Sequence, residues 1–336
     1  MLLYQAMIIN NKHTTLEESL RHYNQIVRES RSPNTARSYK QSIEKFSEML
    51  IEHGIDLNTS LTNNLKEEYV LHYIQKLRDY APATEQLYLT AVVGYYEFLS
   101  SEYDTEINLT RVRTIIKRRQ RKVAQKLPQF PRENIETIIR IVLNTQPTPN
   151  DDKRSILRLY RDKAFIVTLA DTGLRISEAC SLTRGQYDSN ERQAIVVIKG
   201  GQESIVRFSE RAHNTITHYL NLRSIQDGTS GKALTSLPLF ARHDLGSSNK
   251  TLPIKSMGAR NIINKWVTTA LGSDHIGTIT PHSFRHYFVT IVLKASQGNL
   301  KLAQKLARHK SITITQRYAH LTDDDLDRSY NDIFND

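Results

Sequence analysis

The sequence predicts a mainly α chain with one small antiparallel β-sheet, an α+β fold divided into two domains. Three observations carry this. Apolar residues recur at helical spacing over most of the chain, and the period changes to two only between 187 and 209. A basic run that meets two prolines separates an all-helical first third from the rest. At 336 residues the chain also exceeds what one core ordinarily serves.

The elements follow in order. Residues 1–14 form an N-terminal extension; "MLLYQAMIIN" is apolar but lacks a basic n-region and a small-residue cleavage site, so it is not read as a signal peptide. Helical spacing begins at "TLEESLRHYNQIVRES" (15–30), with Thr15 as a candidate N-cap and acids in the first turn. "SPNTARSYKQSIEKFSEMLIEHG" (32–54) follows, capped by Ser32 or Asn34 and ended by Gly54. "NNLKEEYVLHYIQKLRDY" (63–80) and "APATEQLYLTAVVGYYEFLSSEY" (81–103) complete four helices, which a bundle would satisfy over 15–110. Residues 111–130 read as a basic linker ending at the prolines of "KLPQFPREN".

The second domain, 131–322, opens with helical patterns in "FPRENIETIIRIVLN" and "ILRLYRDKAFIVTLADTG". "RQAIVVIKGGQESIVRFSE" then places two β-rich runs around Gly200-Gly201, a hairpin signal, with a third strand starting in "QYDSNERQ". Helical patterns return in "HNTITHYLNLRS", "GARNIINKWVTTAL", "SFRHYFVTIVLKAS" and "NLKLAQKLARHK". A small helical domain, a basic tether and a larger domain make a layout that a C-shaped clamp around DNA would use.

Charge narrows the partner. There are 46 Lys and Arg against 35 Asp and Glu, a formal +11, which favours a polyanion, most often nucleic acid. "RVRTIIKRRQRKVAQK" (111–126) carries eight basic residues and no acid. Arg111, Arg113, Lys117, Arg118, Arg119, Arg121 and Lys122 are candidate DNA-binding residues that would track phosphates. A solvated linker and a nuclear localisation signal are the other readings of the run. The lone cysteine, Cys180, excludes an internal disulfide and a cysteine metal cluster, which fits a reducing cytoplasm. No apolar run reaches the roughly 20 residues needed to cross a bilayer, and no membrane partner is expected.

Three segments carry candidate chemistry. In "DTGLRISEACSLTRG" (171–185), Gly173 breaks one helix and Arg175 falls at the start of the next, with Glu178 three residues on. An arginine there suits an anion, and pairing with Glu178 is the plainer role. In "PHSFRH" (281–286), His282 and Arg285 share a helical face, Pro281 fits the helix entry, and His286 is expected to point elsewhere and be structural. In "LARHKSITITQRYAH" (306–320), a helix ends, the chain turns at Lys310-Ser311, and a second helix carries Tyr318 nine residues after His309.

The order Arg175, Lys199, His282, Arg285, His309, Tyr318 resembles the tyrosine recombinase, or phage integrase, family. "TGLRISEACSL", "PHSFRH" and "HKSITITQRYAH" match its three motif regions in order and spacing, and "SPNTARSYKQSIEKF" is similar to the start of its core-binding domain. The likeness covers roughly 15–325. Two departures stand out. Arg308 occupies the position where the family usually has a glycine, and the hairpin reads "KGGQES", leaving Lys199 as its only basic match.

The resemblance implies a site-specific recombinase that cleaves and rejoins DNA through a 3′-phosphotyrosine. Tyr318 is then the nucleophile, and Arg175, Arg285 and His309 stabilise charge on the phosphate. His282 is the implied proton acceptor, Lys199 the implied general acid, and Glu178 orients Arg175 or His282. Cationic side chains do the charge work, so neither metal nor other cofactor is expected. The implied partners are double-stranded DNA with inverted half-sites and three further copies of the chain, as a homo-tetramer on synapsed DNA. A mobile-element integrase ranks ahead of a chromosome-dimer resolvase, a type IB topoisomerase-like relaxing enzyme, and a DNA-binding regulator with a vestigial site. The core-binding helices begin near residue 15, so no extra arm-binding domain is expected ahead of them. The acidic tail 323–336 holds Leu326, Tyr330, Ile333 and Phe334 and is expected to dock on a neighbouring protomer. Nucleoid association is expected if the host is prokaryotic.

Overall fold

The computed structural model describes residues 13–123, 131–198, 201–247 and 250–318. The chain divides into two compact units between Gln125 and Lys126. Lys199, the tail 323–336, and parts of the expected extension and linker lie outside the described residues.

In the N-terminal unit, α1 (Leu16–Ser30) starts with a capping box. The Thr15 hydroxyl accepts from the Glu18 amide at 3.2 Å, and the Glu18 carboxylate accepts from the Thr15 amide at 3.1 Å. Of the two candidate caps for α2 (Pro33–Glu52), Ser32 is the one used, accepting from Thr35 N at 3.3 Å. The helix expected over 63–80 is regular only at α3 (Tyr69–Lys76), because Asn63-Asn64 form a 3₁₀ turn and Leu65 is extended. Asparagine side chains compete for backbone partners and so favour turns over helix interiors. α4 (Pro82–Glu102) follows. Gly94 lies inside it, where a Cβ would stand 2.4 Å from the Tyr23 hydroxyl, so a larger residue would displace the α1–α4 contact. Phe46, Tyr73, Tyr95, Tyr96 and Phe98 fill the core between these helices.

The first half of the expected linker is helix. Residues Leu109–Arg119 form α5, capped by Asn108, and its Val112 and Ile116 are buried in the core of this unit. Those two residues are four apart, the spacing that stacks side chains on one helical face. The basic residues stand on the solvent face, but not all are free. Arg111 pairs with Glu68, and Arg113 with Glu97 at 2.5 Å. Arg121 is held by structural contacts. Its Nε donates to the fully buried Glu85 at 2.6 Å, its amide donates to the same carboxylate at 2.9 Å, and its NH2 reaches the Leu77 and Tyr80 carbonyls.

The C-terminal unit is built on α7 (Lys153–Thr172), which follows α6 (Arg132–Asn144) and is buried on almost every face from Arg161 to Ala170. Its buried charges Arg161 and Asp162 pair with each other at 2.6 Å, and α9 (Glu210–Gly228) and α11 (Pro281–Ala295) pack on it. Short helix α8 (Ile176–Ser181) leads to the expected three-stranded antiparallel sheet, β1 (Tyr187–Asp188), β2 (Gln193–Val197) and β3 (Glu203–Arg207), in that order. Ile195 pairs with Ile205, and Ile198 N donates to Gln202 O at 2.8 Å beyond the ladder. Helix α10 (Ser256–Leu271) precedes α11, and α12 (Leu300–Ala307) and α13 (Ile312–Gln316) complete the described chain.

Candidate active site

One turn positions the first arginine. Gly173 ends α7 in the left-handed region at φ +58, and a Cβ there would lie 2.4 Å from the Phe288 ring, so both conformation and space require glycine. Two residues later Arg175 takes the N-cap position of α8. Its amide donates to Glu178 Oε2 at 2.9 Å and its guanidinium to Oε1 at 2.6 Å. The plainer role of this pair is present, and it leaves room for the anion-binding role: the guanidinium is anchored yet 40% exposed.

Arg285 joins the three segments. It lies on α11 with 2% of its surface exposed. It donates to the Gly173 carbonyl, beside Arg175, at 2.5 Å, and to the Ala307 carbonyl, two residues before His309. Burial, and then the charges of Arg175 and Arg308, lower its pKa to about 10. A guanidinium in that state is under-solvated and suits an incoming anion.

His282 is exposed. Burial of its ring, Arg285 and Arg175 lower its pKa and favour the neutral imidazole that can accept a proton. Arg175, His282 and Arg285 line one cleft of about 670 Å³ together with Ser177, Arg260 and Asn264. Arg260 and Asn264, one turn apart on α10, carried no motif signal. The cleft's described lining does not include His309 or Tyr318.

His309 and Tyr318 sit behind this surface. His309 is 8% exposed, and its Nδ1 is hydrogen-bonded to the Thr315 hydroxyl at 2.9 Å. Burial, followed by Arg285, Arg175 and Arg308, pushes its pKa down to about 3. Tyr318 is 2% exposed and packs with Val289, Leu293, Ala303 and Ala307. Burial raises its pKa to about 12, with Arg285 and Arg317 opposing.

The expectation that His286 points away is overturned. Its Nδ1 is hydrogen-bonded to the Tyr318 hydroxyl, and its ring lies 4.2 Å from that of His282. Burial, His282 and Arg285 lower its pKa to about 4. The signal was in the spacing: residues 282 and 286 are four apart, and on an α-helix that places both on one face as surely as a spacing of three does. Among the described contacts the proposed acceptor His282 makes no bond to Tyr318; the His286 ring lies near both, 4.2 Å from that of His282 and 5.1 Å from that of Tyr318.

Arg308 was noted as a departure and is more than that. It occupies the left-handed region at φ +56, ψ 43, at a cost on the order of 1 kcal/mol for a residue with a Cβ. It is 8% exposed, and its NH2 lies 3.7 Å from Glu178 Oε2.

Comparison with known proteins identifies the family. The phage integrase family model matches residues 153–325, and that of the phage integrase N-terminal SAM-like domain matches 21–103. A tyrosine recombinase XerC of Treponema denticola is 32% identical over 301 residues, covering 88% of this chain and 91% of its own. One from Thermodesulfovibrio yellowstonii is 26% identical over 290 residues, covering 86% of each. Among solved structures, XerH site-specific recombinase bound to a palindromic difH substrate has a TM-score of 0.68 at 16% identity, over 93% of this chain and 83% of that one. A lambda integrase dimer bound to a COC′ core site has a TM-score of 0.60 at 15% identity, over 94% and 80%. These two share the fold. On the family matches and the Treponema relative, the chain belongs to the phage integrase family of tyrosine recombinases, enzymes that cleave and rejoin DNA.

Proposed function

We propose that the chain is a site-specific recombinase of the mobile-element integrase type, acting on inverted half-sites in duplex DNA as a tetramer, with both units engaging the duplex. The observation that supports it best is the placing of Arg285, whose one guanidinium ties the Arg175 turn to the chain entering His309 and Tyr318.

In this reading the scissile phosphate enters the cleft lined by Arg175, His282 and Arg285. Both guanidiniums neutralise its non-bridging oxygens, and they do so most strongly as charge builds in the pentacoordinate transition state. Glu178 holds Arg175 in place, and His309 adds a third donor. The Tyr318 oxygen attacks phosphorus, its proton passes to His282, and the bond to the 5′ oxygen breaks. Lys199 protonates that oxygen. The products are a 3′-phosphotyrosine and a free 5′ hydroxyl. Attack by another 5′ hydroxyl reverses the step, so the phosphodiester energy is conserved. Because Tyr318 is buried against His286, it must leave that contact before it can attack.

Tyr318→Phe tests the reading. The variant should bind DNA as the parent does and form no covalent adduct with a suicide substrate on denaturing gels. An adduct formed by the Phe variant would assign the nucleophile to another residue. Sequencing both flanks of the gene separates an element integrase, which predicts element ends and repeats there, from a chromosome-dimer resolvase, which does not. Recombinant product, rather than relaxed plasmid alone, separates both from a relaxing enzyme.

A further inference from the structure

Arg308 is held at the price of several unfavourable terms. Its backbone is left-handed at φ +56, where glycine is at ease and arginine is not. Its side chain is more than nine-tenths buried. Its Nε–H has no hydrogen-bond partner among the described residues. One contact is well formed, from NH1 to the Leu306 carbonyl at 2.9 Å; those to the Thr172 and Gly173 carbonyls are 3.3–3.4 Å long. Arg175 and Arg285 are close enough to act on it or be acted on by it, and Glu178 is the one acid that opposes them. A plain helix end would not need a buried cation.

What Arg308 touches indicates its use. Glu178 lies between two guanidiniums, Arg175 on Oε1 at 2.6 Å and Arg308 near Oε2 at 3.7 Å. Arg308 also reaches the two carbonyls of the turn that carries Arg175, and Arg285 donates to one of the same two. It does not line the cleft. We propose that Arg308 is a positioning residue for the cleavage reaction: it shares the Glu178 carboxylate with Arg175, so that Arg175 is oriented by Glu178 without being neutralised by it.

The physical argument is one of divided charge. With Arg308 gone, the whole carboxylate charge falls on Arg175 at the short range where charge-assisted bonds are strongest. Arg175 then gives up less to an incoming phosphate, and the site loses one positive charge. With Glu178 also made neutral, that excess hold disappears. The two changes are therefore coupled rather than independent.

This rests on the recombinase reading, so the parent and its Tyr318→Phe control are assayed first; adduct by the parent and none by the control establish that reading on its own. The test is then a double-mutant cycle on the rate of adduct formation with a suicide half-site, using Arg308→Gly, Glu178→Gln and their combination. Arg308→Asn, which also tolerates the left-handed backbone, repeats the cycle should the glycine variant fold poorly. Removing Arg308 should slow adduct formation about tenfold, a coupling of ordinary size for contacting residues. Half-site affinity should change less than the rate, and the melting temperature should not fall. Adding Glu178→Gln should cost much less in the Arg308→Gly background than in the parent. A purely structural arginine would lower the melting temperature and give additive losses. An unchanged rate, or additive effects in both cycles, overturns the proposal and leaves the recombinase reading intact.

Discussion

Arg121→Gln should destabilise the N-terminal unit by about 3 kcal/mol, although the residue lies in a run that reads as a solvated tether. The carboxylate of Glu85 is wholly buried, and Arg121 meets it through Nε at 2.6 Å while its NH2 binds the Leu77 and Tyr80 carbonyls. Removing one partner of a buried ion pair strands the other charge, at a cost of about 3–5 kcal/mol. The low end applies here. The Arg121 side chain is 32% exposed, its backbone amide still reaches Glu85, and Arg78 remains 3.8 Å away. For a unit of this size, each kcal/mol moves the melting temperature by about 4–8 °C. The calorimetric transition of the N-terminal unit should therefore fall by more than about 10 °C. Arg118→Gln, at an exposed position with no ion pair among the described residues, should change stability by no more than about 0.5 kcal/mol. Glu85→Gln in the Arg121→Gln background should recover much of the loss. If Arg121→Gln melts like Arg118→Gln, the pair is ornamental and the burial argument fails.

The other predictions concern binding, chemistry and pH. Converting Arg118, Arg119 and Lys122 to Gln while keeping Arg121 should weaken binding to every DNA sequence and lower the slope of log K against log salt by up to about 3; an unchanged slope would show that the run does not track phosphates. Lys199→Ala should cleave a 5′-bridging phosphorothioate far better than the oxygen substrate, because a thiolate leaves without a proton, and equal rates would remove Lys199 as the acid. Stability should fall as pH drops from about 6.5 towards 4. His309, at about 3, His286, at about 4, and His243, at about 3 because it is buried beside Tyr219 and near Arg161 and Arg223, refuse a proton that the unfolded chain accepts. The unfolded state then binds more protons, so each group costs about 2 kcal/mol at pH 5 relative to pH 7 or above. Thermal melts that are flat between pH 7 and 5 would contradict these burials.

Much of the fold is legible in the sequence because its signals are local. The capping box at Thr15 and Glu18, Ser32 before Pro33, and the double glycine between two β-rich runs all report backbone geometry within a few residues. Helix α5 was missed for the opposite reason. Its eleven residues include five that are basic, and the charge obscured Val112 and Ile116, whose burial depends on a core supplied by other helices. Glu85 reads as an ordinary first-turn acid of α4; only the return of Arg121 from 36 residues downstream shows that it is a buried anion. The six motif residues can be named from the sequence by type and order, and five of them lie among the described residues. Arg308 was legible as a departure, but its reach to Glu178 depends on how α12 ends against the turn after α7.

The contact between Tyr318 and His286 bears on when the enzyme can act. Their pKa values, about 12 and about 4, differ by about eight units. Burial opposes charge on both groups, raising the tyrosine and lowering the histidine, so it disfavours direct transfer of the proton from one to the other. Both shifts favour a bond between two neutral groups. It also occupies the hydroxyl of a side chain that is 2% exposed. In this arrangement the nucleophile is protonated, enclosed and partnered, three conditions that each oppose attack. Arg285 is the link that can change all three together. It is the leading group that lowers the Tyr318 pKa, it is buried beside that ring, and it lines the cleft assigned to phosphate. An anion arriving in the cleft draws on the same guanidinium that holds the Gly173 and Ala307 carbonyls. In the proposed mechanism the arginine that meets the phosphate is thus also the one that holds the turn before Arg175 and the chain entering His309 and Tyr318.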